Sequence, residues 1–343
     1  MAGVVVLQTA FLGDVVLTTP LLRELRRAHR GAAITVVTTP VGAETLAGHP
    51  SVDSIEVFDK KGKDRGPWPL ARVARRLRAA APDVVVAAQR SARSGVLALA
   101  SGAPLRIGFE GAPGRFAYTR PVPWKGDDHA VRRYLALAVP AGGDPAADPR
   151  PHLPVAQDSR QRISSLLGAA GIGADAPVLA VAPGSVWGTK RWVPEGFAAV
   201  VRAAPELGLA PVLVGSGEER ALCDEVARAS RAAAVNLAGR LRIGDLAAAL
   251  ERAAVLVSND SGAGHVASAV GTPVVSIFGP TVVSFGYTPF GEANRVVEHP
   301  GLPCRPCDRH GPQVCPLGHF RCMRDIPPER VLDAILDVLR ARS

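Results

Sequence analysis

The sequence predicts an α/β protein made of two doubly wound parallel-sheet halves. Three observations carry this. Short β-branched runs alternate with helical patterns along the chain, a Pro/Gly-rich stretch interrupts the alternation once before it restarts, and 343 residues exceed the usual single core.

In the first half the strand-like runs are VVVL at 4–7, ITVV at 34–37, SIEVF at 54–58 and DVVVAA at 83–88. Helical spacing appears between them, for example in VVLTTPLLRELRRAH from Val15. The stretch Val139–Pro154 reads as a linker by composition. The second half repeats the alternation with VLAVAP at 178–183, APVLVGSG at 210–217, AVNLAG at 234–239, AAVLVSND at 253–260 and TPVVSIFGP at 272–280. From Pro327 an amphipathic helix closes the chain, with apolar residues at 331, 332, 335, 336 and 339. The expected domains are therefore 1–155 and 156–326, followed by a terminal helix over 327–343. Such sheets bind ligands beyond the carboxyl ends of their strands, so the two halves are expected to face a common cleft.

An apolar fraction of 47% and a charged fraction of 21% describe an ordinary globular chain. No window approaches the roughly 20 apolar residues of a membrane span, and no basic segment precedes the apolar start, so the expected location is cytoplasmic. A net charge of +9 favours anionic partners: nucleic acid, a phosphorylated substrate or the inner face of a membrane.

Three motifs sit at strand ends. In QTAFLGDVVLTTP, Gly13 allows a tight turn and Asp14 opens a helix, either as a plain N-cap or as a base at the cleft edge. In VAPGSVWGTKRWVPEGF, a loop with Gly184 and Ser185 leads to Lys190 and then a helix, as a diphosphate cradle would; Lys190 is otherwise a solvated loop cation. In VSNDSGAGHVASAVGTPVVSIFGPT, a polar turn of Asn259, Asp260, Ser261 and Gly262 precedes a helix carrying His265. Its amides suit phosphate and Asp260 suits sugar hydroxyls; the competing readings are a helix cap for Asp260 and an interior hydrogen bond for His265. A weaker signal, LVGSGEERALCDE, offers Glu218 or Glu219 to ribose hydroxyls.

Two basic clusters follow strands of the first half. Lys60, Lys61, Lys63, Arg65, Arg90 and Arg93 are candidate anion contacts, each also readable as an ordinary surface charge, and the helix around ARVARRLRAA suits anionic lipid headgroups. Cys304, Cys307, Cys315 and Cys322 share the loop 301–324 with His310 and His319. Four thiolates suit a structural zinc; free thiols and an iron-sulfur cluster are the alternatives.

The segments FLGDVVLTTPLL, PGSVWGTKRWVPEGFA, NLAGRLRIGDLAAAL and NDSGAGHVASAVGTPVVSIFGPT, in this order, resemble glycosyltransferase family nine, the ADP-heptose:lipopolysaccharide heptosyltransferases. The resemblance implies the GT-B fold, with two Rossmann-like domains and the terminal helix crossing back onto the N-terminal one. It also implies inverting transfer from ADP-L-glycero-β-D-manno-heptose to heptosyl-Kdo-lipid A at the inner face of the cytoplasmic membrane. On the family pattern Asp14 matches the general base and Lys190 the cation facing the donor phosphates. Asp260, Ser261, Gly262 and His265 match the donor turn, and Glu218 is a looser match. The chemistry so implied asks for no cofactor and no nucleic acid. The rival readings are a transferase of the same fold and donor class with a different acceptor, such as an earlier or later core heptosyltransferase, a sugar-nucleotide epimerase on the same architecture and a zinc-containing nucleic-acid-binding protein.

Overall fold

The computed structural model describes residues 3–60 and 62–341. Lys61, one of the expected acceptor-side cations, lies outside the described residues. The chain divides into two compact units at Pro154/Val155.

The N-terminal unit has strands β1 (Gly3–Gln8), β2 (Ala33–Thr38), β3 (Ser54–Val57), β4 (Val84–Ala87), β5 (Leu105–Phe109) and β6 (Arg120–Val122). Its helices are α1 (Leu12–Leu17), α2 (Thr19–Ala28), α3 (Pro40–Thr45), α4 (Pro67–Ala80), α5 (Ala92–Ser101) and α6 (Ala130–Ala136). All strand pairs are parallel, in the order β3-β2-β1-β4-β5-β6.

The C-terminal unit has α7 (Gln157–Ala169), β7 (Val178–Ala182), α8 (Pro194–Ala203), β8 (Ala210–Leu213), α9 (Arg220–Ser230) and β9 (Val235–Asn236). It continues with α10 (Ile243–Glu251), β10 (Val255–Asn259), α11 (Gly262–Ala269), β11 (Val274–Phe278), β12 (Arg295–Glu298), α12 (Arg321–Arg324) and α13 (Pro328–Arg340). Its parallel sheet, β12-β11-β10-β7-β8-β9, repeats the order of the first when read from the other end. Strand order reverses between β1 and β4 and between β7 and β10, and a crevice forms beyond the carboxyl ends at such a point. Helices cover both faces of the central strands, which is why β7, β10 and β11 are buried at every position.

Three expectations change in detail. The helix expected from Val15 starts at Leu12 and breaks at Thr18, where Pro20 in the first turn of α2 cannot donate a backbone bond. The Pro/Gly-rich stretch is clasped rather than loose: Glu24 accepts from Asp144 N (2.5 Å) and Thr19 from His152 N (3.1 Å), while Arg23 donates to the Asp148 and Arg150 carbonyls. The terminal helix α13 was expected to return to the N-terminal half, but its apolar face is taken up in its own unit. Val331, Ile335 and Val338 join Trp192, Phe197 and Met323 in the C-terminal core.

Truncating Ile335 to Ala in that core is expected to cost about 2–5 kcal/mol, measured by urea unfolding. A second expectation concerns pH. Burial, with the neighbouring His152, holds His49 down to about 4, and its Nδ1 accepts from Ser51 N at 3.2 Å, which a neutral ring does. The unfolded chain takes up a proton near the ordinary histidine value where the folded one does not. Stability conferred by the neutral ring is therefore present above about pH 6.5 and lost as pH falls towards about 4, and His49→Gln should flatten that loss.

Candidate active site

The reversal between β7 and β10 gathers the C-terminal motifs. Asn259 ends β10, is buried, and bonds three backbone groups of the loop that follows β7. Its Oδ1 accepts from Trp192 N (2.9 Å), and its Nδ2 donates to the Pro183 (2.8 Å) and Gly184 (3.3 Å) carbonyls. Trp192 is itself anchored in the core, where its ring N–H donates to Ile326 O (3.2 Å). Both ends of the Pro183–Trp192 loop are thereby fixed.

Between those ends Lys190 closes a short helical turn, and its Nζ lies 2.5 Å from Asp260 Oδ2, with side-chain exposures of 12% and 9%. Thr281 Oγ1 donates to the same oxygen at 2.8 Å. An ammonium has three donors, and the carboxylate engages one of them, so Asp260 orients Lys190 as well as balancing its charge. The cap reading of Asp260 fails. Ser261 holds the N-cap position of α11 and makes no side-chain cap bond, so its hydroxyl does not cover the first amides, which begin at Gly262. His265 is buried one turn into that helix.

Gly184 leaves room for the Glu219 carboxylate: a Cβ there would stand 1.9 Å from its Oε1. Glu219 reaches back to Ser216 N at 2.8 Å in a capping box, which makes it a brace for the turn. Glu218, beside it, is exposed. Ser185 is buried and its carbonyl accepts from Arg191 Nε at 2.8 Å.

The Cys-rich loop is bolted onto these elements. Gln313 Oε1 accepts from Gly188 N (2.9 Å), Pro312 O from Thr189 N (3.3 Å) and Pro280 O from Cys307 N (3.0 Å), while the His310 ring stacks on Trp187 at 6.0 Å. Arg305 organises the base of the loop, donating to His299 O (2.8 Å), Thr281 O (2.9 Å) and Glu298 Oε2 (2.6 Å), and to Gly279 O. The zinc shell expected of the cysteines is not formed by the side chains as they stand. Among the described residues no three His, Cys, Asp or Glu side chains converge to hold a metal ion. Cys322 is drawn into the core, where burial pushes its thiol up to about 11; Cys307 Sγ lies 3.4 Å from Cys304 O, and Cys304 Sγ lies 4.0 Å from His319 Nε2.

In the N-terminal unit Asp14 is the third residue of α1, not its cap; Phe11 holds the cap position. The carboxylate is partly buried and Oδ1 accepts from the Tyr134 hydroxyl on α6 at 2.7 Å. Tyr134 is buried beside Phe109, which meets Trp124 edge-on at 4.8 Å. The guanidinium of Arg90 lies 4.7 Å and that of Arg133 4.6 Å from the centre of the Trp124 ring, and Arg90 also donates to Gly111 O (3.1 Å). Of the other expected cations, Lys63, Arg65 and Arg93 are exposed and Lys60 is half-buried. Two aspartates shape the loop they share: Asp59 receives Gly62 N and Lys63 N, and Asp64 receives Asp59 N.

Sequence reasoning placed Asn259 in the polar turn without a role for its side chain, and it did not single out Thr281, Tyr134 or Arg305. Asn259 and Thr281 stand inside quoted motifs, whereas nothing local marks Tyr134, which is 120 positions from Asp14.

A profile of glycosyltransferase family 9 (heptosyltransferase) matches residues 70–315. The chain belongs to that family. Lipooligosaccharide heptosyltransferase 2 of Haemophilus influenzae is 29% identical over 229 residues, 61% of this family 9 chain and 62% of that protein. The chain thus spans under two thirds of the curated relatives it matches first, with 50% and 51% for two Campylobacter jejuni enzymes of the same name. A solved family 9 glycosyltransferase from Veillonella parvula superposes with a TM-score of 0.87 at 26% identity, covering 99% of this chain and 98% of that one. The E. coli ADP-heptose LPS heptosyltransferase II structure superposes with a TM-score of 0.79 at 22% identity, covering 99% of each, and shares the two-sheet GT-B fold.

Replacing Asn259 with Ala leaves Trp192 N and Pro183 O without their partner inside the protein. Urea unfolding should show a loss of about 3 kcal/mol, the scale of two orphaned buried backbone groups.

Proposed function

We propose that this family 9 chain is an inverting glycosyltransferase. It transfers heptose from ADP-L-glycero-β-D-manno-heptose to the heptosyl-Kdo-lipid A inner core, the reaction of a heptosyltransferase II. The observation that carries the donor half is the Lys190–Asp260 pair beside the N-terminus of α11, where the strand order reverses. A fixed cation and the first amides of that helix suit a diphosphate, whose negative charge grows as it leaves. Gly184, Ser185, Ser261, Gly262 and His265 belong to the same donor surface on this reading, with exposed Glu218 towards the ribose.

The acceptor half rests on Asp14. An acceptor hydroxyl attacks the anomeric carbon, the bond from that carbon to the β-phosphate oxygen breaks, ADP departs with the electron pair, and Asp14 takes the hydroxyl proton. Tyr134 holds the carboxylate from the side of Oδ1 and so fixes the direction in which it meets the acceptor. Arg90 and the cations of the 60–65 and 93 positions are assigned to acceptor anions.

Asp14→Asn should abolish transfer while ADP affinity stays within about twofold by calorimetry, since the amide keeps the shape and removes the base. Lys190→Ala should weaken ADP binding by about tenfold or more, the scale of a single charge-assisted hydrogen bond. Incubation with ADP-heptose and lipid A cores of defined length, followed by mass analysis, decides the acceptor. A single added heptose on heptosyl-Kdo-lipid A supports the reading, and growth of only longer or shorter cores replaces it.

A further inference from the structure

We infer that α4, α5 and the helical turn Arg115–Ala117 form the face by which this protein docks on an anionic lipid bilayer. Charge distribution is the first observation. Residues 60–120 contain 13 of the 40 Lys and Arg but only 3 of the 31 Asp and Glu, so the whole net charge of +9 is accounted for within this stretch. The three helical segments themselves contain no carboxylate and six arginines. Two of the six are paired with acids outside these segments, Arg72 with buried Asp64 at 2.5 Å and Arg76 with Glu56 at 2.6 Å.

The second observation is what lies among those cations. Trp68 (83% exposed), Phe116 (63%) and Leu99 (51%) are the most exposed large apolar side chains among the described residues of the N-terminal unit. On α4 Val73 and Leu77 mark the buried face; Trp68 and Arg75, seven residues apart, share the opposite pole, as the helical period dictates.

Packing makes the three segments one surface. A Cβ on Gly95 of α5 would stand 2.5 Å from Gly114 Cα, at the start of the Arg115–Ala117 turn, an approach of backbone to backbone that glycine permits. Helices α4 and α5 pack on each other, and the Arg78 guanidinium of α4 lies over Gly102, the residue that ends α5.

A partner that offers phosphate alone would leave Trp68, Leu99 and Phe116 in water. A bilayer surface takes both components, with arginines at the headgroups and the apolar tips at the acyl boundary. Wedge-shaped apolar tips flanked by cations are how interfacial helices hold to membranes without spanning them, and no described helix here is long and apolar enough to span.

The test is co-sedimentation of the full chain with phosphatidylcholine vesicles, with and without about 30 mol % phosphatidylglycerol and with no sugar acceptor present. It is therefore independent of the transfer reaction, and its failure leaves that reading standing. Expected is binding at least about tenfold stronger to the anionic vesicles, weakened by salt, with Trp68 emission quenched by brominated lipid. W68S/F116S and, separately, R75E/R78E should each lower binding by about tenfold, with urea unfolding unchanged as the control on folding. Absence of binding to anionic vesicles overturns the inference, as does undiminished binding by either double variant. Binding of duplex DNA as tight as that of the vesicles, abolished equally in W68S/F116S, would reassign the face to nucleic acid and also overturn it.

Discussion

The buried Asn259 side chain is the constraint on which the C-terminal site depends. It stands at the end of a strand whose neighbour, β7, runs parallel and ends at the same level, so a single amide reaches both ends of the loop that β7 emits. Because both its donor and its acceptor are satisfied by backbone away from water, the loop has one arrangement of low energy, and Lys190 is presented from it at one place. Asp260, the next residue along, fixes the ammonium itself. Two consecutive residues of one strand end therefore set the frame and the charge of the site.

Support for that frame comes from a distance in sequence. The Cys-rich loop leans on Gly188, Thr189 and Pro280, and its base is tied by an arginine that bonds three carbonyls and a carboxylate. Within the loop Cys322 is buried in the core, and Cys304 and Cys307 make local contacts. The arginine ties the base of the loop through charge-assisted bonds to backbone oxygens that follow β11 and β12.

In the N-terminal unit the corresponding strand reversal presents a carboxylate instead of a cation. Asp14 sits in the first turn of a short helix, and a buried tyrosine hydroxyl points at one of its oxygens. The aromatic and guanidinium group behind that tyrosine, Phe109 with Trp124, Arg90 and Arg133, is drawn from β5, the loop after β4 and the segment around α6. One carboxylate and one cation thus stand each at a strand-order reversal.

The sequence by itself determined the class of fold and the positions of the strand-end motifs. Near-continuous apolar runs such as VLAVA and VLVSN can be buried only in a sheet covered on both faces, and Gly, Asp and Lys at their ends mark the turns that ligands approach. Local pattern also found Asp14, Lys190 and Asp260, because their chemistry is unusual next to an apolar strand. Tertiary structure alone decided which groups those residues meet. Tyr134 lies 120 residues from Asp14, Thr281 21 residues from Asp260 and Gln313 125 from Gly188, and no periodicity encodes such pairs. The same holds for α13: its amphipathic pattern specified that one face is buried, while the core that receives it was fixed by the packing of Trp192, Phe197 and Met323. Periodicity reports how a segment divides between water and protein, and only the packed chain supplies the partner.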